Sequence, residues 1–417
     1  MSTFRIKNFK SGREDNLNLI LHSGGPDVTT KILCDEVLFF FHTLDIDGTK
    51  KPNVKETEDK VFCITGAIYN KDVKSDVQFL IRMYNLYGDS VTKYLDGDYS
   101  IVIYDKAKRQ FDLFTDIWAT HQIYVRVSNN VFDIFSFLDF QDLGNREQVR
   151  EWDNGKIKEL SSNSHYRFYV DTLTLEHVNE EVYKFNLDQY DTCTQTCTLA
   201  MERAVRKKYH KNCTLLLSGG YDSPCVALAL NKMGLIFNTL TYDPYGLEDN
   251  DTLRATLDII GNDNHVTIKE EHENHNNFIR QFIKSNFKSK VMLKGSGIET
   301  LENRQNIFGE FSFKNPDVML KYDLGEDFPD DLSTIFPWSS WLGENYLRHH
   351  QRKSIEEGIQ VRNVFLDREL AQAWLNTTIE IKNSGIIKIL QTSYLNSFNI
   401  PLPKHKAGLG ALGTTIK

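Results

Sequence analysis

The sequence predicts two domains of different class, a β-rich sandwich followed by an open α/β domain with a parallel sheet. The chain has 417 residues, which is more than one domain usually holds. Residues 16–140 alternate short β-rich runs with turn signals. From about residue 189, helical and β-rich runs alternate instead. We therefore predict domains at 1–185 and 186–417.

Local signals predict the elements of the first domain. The predicted strands are "NLILHS", "EVLFFFHTL", "KVFCITGAIYN", "YSIVIYD", "RQFDLFTD" and "HQIYVRVS", with two more in 164–184. One helix interrupts them, "SDVQFLIRMYNLYG", which begins after the N-cap Ser75 and ends at Gly88. Its apolar residues recur at spacings of three and four, which is typical of a helix with one buried face.

The second domain begins with a helix–strand alternation. "QYDTCTQTCTLAMERAVRKKYH" predicts a helix, "NCTLLL" a strand, "SPCVALALNKMG" a helix and "IFNTLTYD" a strand. This order is typical of a parallel sheet with helical crossovers. The segment from Pro401 onward is rich in Pro, Lys and Gly, and we expect a loop or tail there.

Composition excludes several classes of function. A net charge of -8 and 25% charged residues argue against a nucleic-acid binder, which needs a basic face. The six cysteines are scattered without metal-ligand spacing, so we expect reduced thiols and no zinc site. No apolar run approaches the roughly 18 to 20 residues of a membrane span, and the first ten residues lack the apolar core of a signal peptide. We expect a cytoplasmic protein without nucleic-acid or membrane partners.

The stretch "TLLLSGGYDSP" carries the chemistry of the second domain. In an open parallel sheet, ligands lie beyond the carboxyl ends of strands, against helix N-termini that favour anions. Gly219 and Gly220 allow the backbone to close around a phosphate, and Ser218 and Ser223 supply hydroxyls. Asp222 is suited to hold the Mg²⁺ that accompanies a polyphosphate. The alternative is a plain Ser/Gly turn capped by the aspartate.

The same stretch resembles SGGxDS, the pyrophosphate-binding loop of the N-type ATP pyrophosphatases. Within that group the chain is similar to the asparagine synthetase family, which includes the β-lactam synthetases. "TGAIYN" resembles the family's NGEIYN, "KSDVQFLIRMYNLYG" its SDTE-containing helix and "LDGDYSIVIYDKAKRQFDLFTD" its LxGxFAFxIYD strand pair. "GIQVRNVFLDREL" resembles GxExRxPFLDxxL, and "IPLPKHKAGLG" resembles LPxxxxxRPKxGF. The matches occur in the family's order over nearly the whole chain.

The resemblance implies both a fold and an activity. It implies an N-terminal Ntn-hydrolase-like αββα sandwich, glutaminase-like, and a C-terminal adenine-nucleotide α-hydrolase-like (PP-loop) synthetase domain. It also implies a ligase that uses ATP and Mg²⁺ to join a small-molecule carboxylate to an amine or ammonia. The carboxylate becomes an acyl-adenylate, pyrophosphate is released, and the amine then displaces AMP. By analogy, Leu217 and Leu240 line the adenine pocket.

The family supplies a second acidic metal ligand from a GEGADE segment, and two stretches compete for that place. "VMLKGSGIETL" matches the letters and offers Glu299, but it comes about thirty residues too early. "VMLKYDLGEDFPDD" has the expected spacing and offers Asp327 or Glu326. It also resembles the YGADIP variant of the β-lactam synthetases with one residue inserted, where Tyr322 matches the tyrosine. We favour the second stretch.

The resemblance assigns further roles near the C-terminus. Tyr322 and Glu344 match the pair that removes a proton from the attacking amine in the β-lactam branch. Asp323 stands where the asparagine branch has its base. Lys406 in "KHKAGLG" matches the lysine that stabilises charge on the transferred phosphate and on the tetrahedral intermediate. Lys388 lies at a helix start where the family has either a structural lysine or a pyrophosphate contact.

The first domain departs from the family at its glutamine site. Members that use glutamine have cysteine at position 2 as the nucleophile, where this chain has Ser2. Thr65 and Ala67 replace the Asn and Glu of NGE, and Thr43 replaces the substrate arginine. A site without the thiol, the carboxylate and the guanidinium lacks the groups that hold glutamine. We predict that the glutaminase site is inactive.

Three hypotheses for the function remain at this point. The first is amide formation with ammonia, the second is lactam formation by an amine of the substrate itself, and the third is a non-catalytic relative that kept the fold. The third is supported by Pro329, Asp330 and Asp331, which replace the FGG that usually follows GADE. The sequence leaves the oligomeric state open, with a homodimer as one option.

Overall fold

The computed structural model describes most of the chain, and every statement below concerns that part. The described residues are 3–8, 28–46, 52–128, 130–136, 157–179, 182–186, 188–246, 248, 250–261, 263–272, 275–295, 357–382 and 388–403. The chain divides into two compact units. Unit 1 comprises Met1–Lys184 and Phe336–Gly358, and unit 2 comprises Phe185–Ile335 and Ile359–Lys417.

Unit 1 is built on two antiparallel sheets, each of six described strands. The first sheet has the order β10-β8-β9-β1-β3-β2, and the second has the order β12-β11-β7-β6-β5-β4. The strands of the first sheet are β1 (Thr3–Asn8), β2 (Val28–Cys34), β3 (Val37–Thr43), β8 (Tyr124–Ser128), β9 (Val131–Phe135) and β10 (Ile157–Glu159). Those of the second are β4 (Val54–Glu56), β5 (Lys60–Ile68), β6 (Gly97–Asp105), β7 (Gln110–Thr115), β11 (His165–Tyr169) and β12 (Thr174–Asn179).

The inner faces of the two sheets share one apolar core. Phe111 on β7 is fully buried and lies within ring contact of Phe39 on β3 and of Phe132 on β9. Burial of this aromatic surface is the main force that holds such a sandwich together. The β-rich runs predicted from "EVLFFFHTL" through "HQIYVRVS" are confirmed as strands, and "NLILHS" lies outside the described residues.

One described helix, α1 (Asp76–Tyr87), covers the other face of the second sheet. Ser75 caps it, since its side-chain oxygen accepts a hydrogen bond from the backbone nitrogen of Gln78. Val77 and Leu80 pack with Ile101 of β6 in a second apolar cluster. A short 3₁₀ helix follows at Gly88–Tyr94. The helix predicted from "SDVQFLIRMYNLYG" is confirmed, including its cap.

Unit 2 contains a parallel sheet of five described strands. They are β13 (Thr214–Leu216), β14 (Asn238–Tyr242), β15 (His265–Ile268), β16 (Val291–Lys294) and β17 (Gln360–Asn363). Their order is β15-β14-β13-β16-β17, and every pairing is parallel. The predicted parallel sheet is confirmed. The chain thus adds strands on one side of β13 and then returns to add strands on the other.

The helices of unit 2 come before, between and after the strands of the parallel sheet, and the three between β13 and β16 are crossovers. They are α2 (Gln195–Lys208), α3 (Asp222–Lys232), α4 (Asn250–Ile260), α5 (His275–Asn286), α6 (Arg368–Asn376), α7 (Ile379–Lys382) and α8 (Ile389–Ser397). Residues 225–230 of α3 are all fully buried, so this helix is enclosed by its neighbours. None of the helices in the described part of the chain has the length and apolarity that crossing a membrane requires.

The helix α2 begins later than the sequence pattern predicts. The predicted run starts at Gln189, but the helix starts at Gln195. The backbone nitrogens of Tyr190 and Asp191 instead donate to the carbonyl oxygen of Asn376, at 3.0 and 2.9 Å. Because these backbone nitrogens bind Asn376, they are not available for hydrogen bonds within a helix. The apolar periodicity of the segment does not predict this tertiary contact.

Candidate functional site

The loop after β13 lies where the strand order of the sheet reverses. β13 pairs with β14 on one edge and with β16 on the other. The crossovers on its two sides run in opposite directions, so their connections leave a crevice at the carboxyl ends of these strands. "SGGYDS" begins two residues after β13 and leads directly into α3. The sheet therefore places this loop at the position where open α/β sheets bind ligands.

Gly295 closes the other side of this crevice. It follows β16 directly, and a β-carbon built there would lie 2.9 Å from the carbonyl carbon of Asp222 and from the backbone nitrogen of Ser223. Such distances are shorter than real β-carbon contacts allow. The backbone after β16 therefore packs directly against the start of α3, and only glycine fits at position 295.

Two serines form hydrogen bonds within the loop. The hydroxyl of Ser223 accepts a hydrogen bond from the backbone nitrogen of Ser218 at 2.8 Å, and the two hydroxyl oxygens are 3.0 Å apart. The backbone nitrogen of Gly220 donates to the hydroxyl of Ser218 at 3.4 Å. These contacts join the backbone nitrogens of Ser218 and Gly220 to the two serine hydroxyls. Successive backbone N–H groups of such a loop are suited to bind an anion.

The carboxylate of Glu248, from outside the loop, contacts the loop. The backbone nitrogen of Gly219 donates to Oε2 of Glu248 at 2.6 Å, and both residues are buried. The backbone nitrogen of Glu248 in turn donates to Asp243, just after β14, at 3.4 Å. A short N–H contact to a carboxylate is a charge-assisted hydrogen bond and is stronger than one between neutral groups.

Asp222 lies at the start of α3 and is held by the first residues of α8. Nζ of Lys388 donates to Oδ2 at 2.6 Å, and Nε2 of Gln391 donates to Oδ1 at 3.0 Å. An acidic residue in the first turn is favoured by the helix dipole. The sequence predicts either a structural role or a pyrophosphate contact for Lys388. Its ion pair with Asp222 places it beside the loop.

The residues around Asp222 fit a magnesium ion that is shared with phosphates. Mg²⁺ is usually held by one or two carboxylates together with substrate phosphate oxygens and water. Oε1 of Gln391 is buried and has no hydrogen-bond partner among the described residues, so an acceptor lies next to Asp222. No group of three or more His, Cys, Asp or Glu suited to a metal occurs within the described part of the chain. The described residues thus offer two oxygen donors, the Asp222 carboxylate and the Gln391 amide oxygen, and both Asp222 oxygens also accept hydrogen bonds from Lys388 and Gln391.

The two leucines assigned to the adenine pocket are buried. Leu217 is 2% exposed and Leu240 is 1% exposed. The backbone nitrogen of Leu217 donates to the carbonyl oxygen of Leu240 at 2.9 Å, which extends the pairing of β13 with β14 towards the loop. They therefore support the base of the loop as core residues, and their contact with adenine stays a prediction.

The remaining predicted site residues lie outside the described part of the chain. They are Tyr322, Asp323, Glu326, Asp327, Glu344 and Lys406, together with the competing candidate Glu299. The strand order still bears on the choice between the acidic stretches. Both edges of β13 are occupied by described strands, and one of these is β16. The stretch with Glu299 follows β16 in the sequence, and β16 is paired with β13.

A basic group with an unusual pKa ends β16. Burial and the positive charge of Arg280 lower the pKa of Lys294 to about 7. Burial and the charges of Arg280 and Lys294 also lower the pKa of His275. These three residues bring basic groups to one region of β16 and α5. The sequence contains no motif for this cluster, because its members belong to two different elements, α5 and β16.

The altered glutamine-site positions of unit 1 carry no ionisable side chain. Thr65 and Ala67 lie on β5, opposite Ser100 and Asp98 of β6, and Ser2 lies outside the described residues. Thr43 on β3 accepts a hydrogen bond from the backbone nitrogen of Asn53 at 3.2 Å. Three of the four altered positions are thus well-packed sheet residues.

Comparisons with known proteins bear on the whole chain. No family model matches it. A protein of Methanocaldococcus jannaschii described as "Putative asparagine synthetase (glutamine-hydrolyzing) 1" is 20% identical over 437 residues, which cover 88% of this chain and 78% of the relative. The chain is thus similar to an asparagine synthetase over most of its length.

Two solved structures are also similar in part. One is described as "Structure of the allosteric regulatory enzyme of purine biosynthesis", with 7% identity, a TM-score of 0.31 and coverage of 71% of this chain and 90% of that one. The other is glutamine phosphoribosylpyrophosphate amidotransferase from B. subtilis complexed with ADP and GMP, with 8% identity, a TM-score of 0.26 and coverage of 63% and 77%. Scores this low do not establish a common fold.

Sequence reasoning missed two residues of the site. Glu248 follows β14 in "YGLEDND", where nothing distinguishes it from its acidic neighbours. Gln391 lies in "IKILQTS", where a single glutamine in an apolar helix carries no functional signal. Both are brought to the loop by tertiary packing alone.

The close approach of Gly295 leads to a test of stability. We expect Gly295→Ala to lower the free energy of unfolding by about 1–3 kcal/mol, because the new methyl group displaces the start of α3. At Gly220 the same substitution meets only the Ser218 hydroxyl at 3.5 Å, an ordinary contact, so Gly220→Ala should change stability by less than about 1 kcal/mol. Chemical denaturation of both variants measures the difference. Equal stability of the two would contradict the packing described for Gly295.

Proposed function

We propose that the protein is an ATP- and Mg²⁺-dependent, AMP-forming amide ligase of the asparagine synthetase type. The observation that carries this proposal is the position of "SGGYDS", which lies at the carboxyl end of β13 where the strand order reverses. The similarity to an asparagine synthetase over most of both chains supports the same class of enzyme. The proposal covers the reaction class and leaves the carboxylate substrate unnamed.

In this proposal the loop holds the phosphates of ATP. The backbone nitrogens of Gly219 and Gly220, with the hydroxyls of Ser218 and Ser223, would bind the β- and γ-phosphates in exchange for their present partners. The substrate carboxylate attacks the α-phosphate, and pyrophosphate leaves as the acyl-adenylate forms. The amine then attacks the acyl carbon, and AMP leaves. Binding of the leaving group by fixed donors lowers the barrier of the first step.

Asp222 is proposed as a metal ligand of this site. When bound, Mg²⁺ would neutralise negative charge on the phosphates. Lys388 and Gln391 bind the Asp222 carboxylate in the structure, and the Lys388 ammonium is proposed to contact a phosphate as well. A second carboxylate is proposed from Asp327 or Glu326, with Glu299 as the competing candidate. The structure of these last three residues is outside the described range.

The remaining catalytic roles are proposed from the resemblance. Lys406 would stabilise negative charge on the transferred phosphate and on the tetrahedral intermediate. Tyr322 with Glu344, or else Asp323, would take the proton from the attacking amine. The amine is ammonia or an amine of the substrate itself. All four residues lie outside the described part of the chain.

Unit 1 is proposed to retain the shell of a glutaminase without its chemistry. Thr43, Thr65 and Ala67 offer no charge to the ends of a glutamine, and Ser2 replaces the expected thiol. The relative from Methanocaldococcus jannaschii is described as glutamine-hydrolyzing, so this proposal separates the present chain from it. The division into a glutaminase-like and a synthetase domain is part of the same proposal, as is a cytoplasmic location.

The first test concerns Asp222. We expect Asp222→Asn to reduce Mg²⁺-dependent pyrophosphate release from ATP by at least about 100-fold, because the metal loses a charged ligand. The substrate is first identified by screening small carboxylic acids in a pyrophosphate-release assay. Asp258→Asn, an exposed position on α4, is the matched control and should keep full activity. Retained activity in Asp222→Asn would exclude the metal role, and no pyrophosphate release with any acid would favour a non-catalytic relative.

The second test concerns the source of nitrogen. We expect added glutamine to yield no glutamate and no increase in rate, because the glutamine-site positions carry no charged groups. Ammonium should raise the rate if ammonia is the amine, and it should have no effect if the substrate supplies the amine. Amino-acid analysis alongside the AMP assay gives both quantities. Glutamate formed in proportion to AMP would show that Ser2 and its altered neighbours are active.

The third test separates the two acidic stretches. Spacing along the chain favours Asp327, whereas the pairing of β16 with β13 favours Glu299. We expect one of Glu299→Ala and Asp327→Ala to abolish pyrophosphate release and the other to keep it within about tenfold, since only one stretch supplies the metal carboxylate. Equal effects of the two substitutions would contradict a single second carboxylate.

A further inference from the structure

Glu248 accepts a hydrogen bond from a loop nitrogen that, in the proposed function, would bind a phosphate. Its Oε2 lies 2.6 Å from the backbone nitrogen of Gly219, the first glycine of "SGG". The contacts between Ser218 and Ser223, by contrast, are internal to the loop. Glu248 comes from 29 residues further along the chain, so this carboxylate is a tertiary addition to the loop.

We propose that Glu248 is a positioning residue that holds the loop in its nucleotide-free form by binding Gly219 in place of a phosphate. The inference rests on the function proposed above for the loop. Two physical requirements support it. A buried N–H group needs an acceptor, and Gly219 is buried. A carboxylate oxygen and a phosphate oxygen are both anionic acceptors, and they compete for the same N–H.

The surroundings of Glu248 favour a carboxylate that is held in place. Glu248 is 8% exposed, and its own backbone nitrogen is bonded to Asp243 at the end of β14. A buried negative charge next to the loop also repels a second anion, because electrostatic interactions are weakly screened away from water. A phosphate must therefore displace the Glu248 side chain before it reaches Gly219. The affinity of the loop for phosphates is lowered by this competition.

The test is calorimetric titration of the full-length protein with Mg-pyrophosphate, for the wild type and for Glu248→Gln and Glu248→Ala. We expect both variants to bind at least about tenfold more tightly than the wild type, because neither carries the competing charge. Glu270→Gln removes the charge of an exposed glutamate in the same unit and should bind as the wild type does. This control separates a local effect from the change in net charge.

Other outcomes overturn the proposal. A glutamine side chain still offers an oxygen to Gly219, so a purely structural contact predicts wild-type affinity for Glu248→Gln and weaker binding for Glu248→Ala. That pattern, or an absence of pyrophosphate binding in all four proteins, would overturn the role of Glu248. If the Glu248 variants bind pyrophosphate more tightly but no carboxylic acid yields AMP, the ligase proposal fails and the role of Glu248 stands.

Discussion

The parallel pairing of β13 on both of its edges is the constraint on which unit 2 depends. With β14 on one edge and β16 on the other, β13 is an interior strand of the sheet. After one more hydrogen bond to β14, from Leu217, the chain continues as a glycine-rich loop that turns into α3. The same pairing brings Gly295, at the end of β16, against the first residues of that helix. The site thus results from strand order before any side chain is considered.

Hydrogen bonds to the polar groups of the loop then determine its conformation. Serine hydroxyls, the Glu248 carboxylate, Lys388 and Gln391 together satisfy the backbone nitrogens of the loop and the carboxylate of Asp222. Groups with so many internal partners can bind a ligand only by exchanging partners, which costs free energy. Under the proposed function, ATP and Mg²⁺ would provide the replacement acceptors and charges. In the proposal for Glu248, its carboxylate competes with such a ligand for the backbone nitrogen of Gly219.

The core of unit 1 is separate from the positions where the sequence predicts an altered glutamine site. Its core depends on aromatic side chains such as Phe111, and these do not involve the positions that would bind glutamine. Thr65 and Ala67 are accommodated on β5 as ordinary sheet residues, because a threonine or alanine fits a pleated, buried strand at little cost. The residues at these positions are therefore compatible with the sheets of unit 1, whatever they bind.

The sequence by itself determined the elements whose signals are local. The alternation of "KVFCITGAIYN" and "YSIVIYD" predicted β5 and β6, the Ser75 cap predicted the start of α1, and "TLLLSGGYDS" predicted a strand, a loop and a helix in that order. Only the tertiary structure decided the start of α2 and the partners of Asp222 and Gly219. Lys388, Gln391 and Glu248 are 166, 169 and 29 residues away from the groups they bind. Contacts over such separations depend on strand order and helix packing, which local patterns of polarity do not encode.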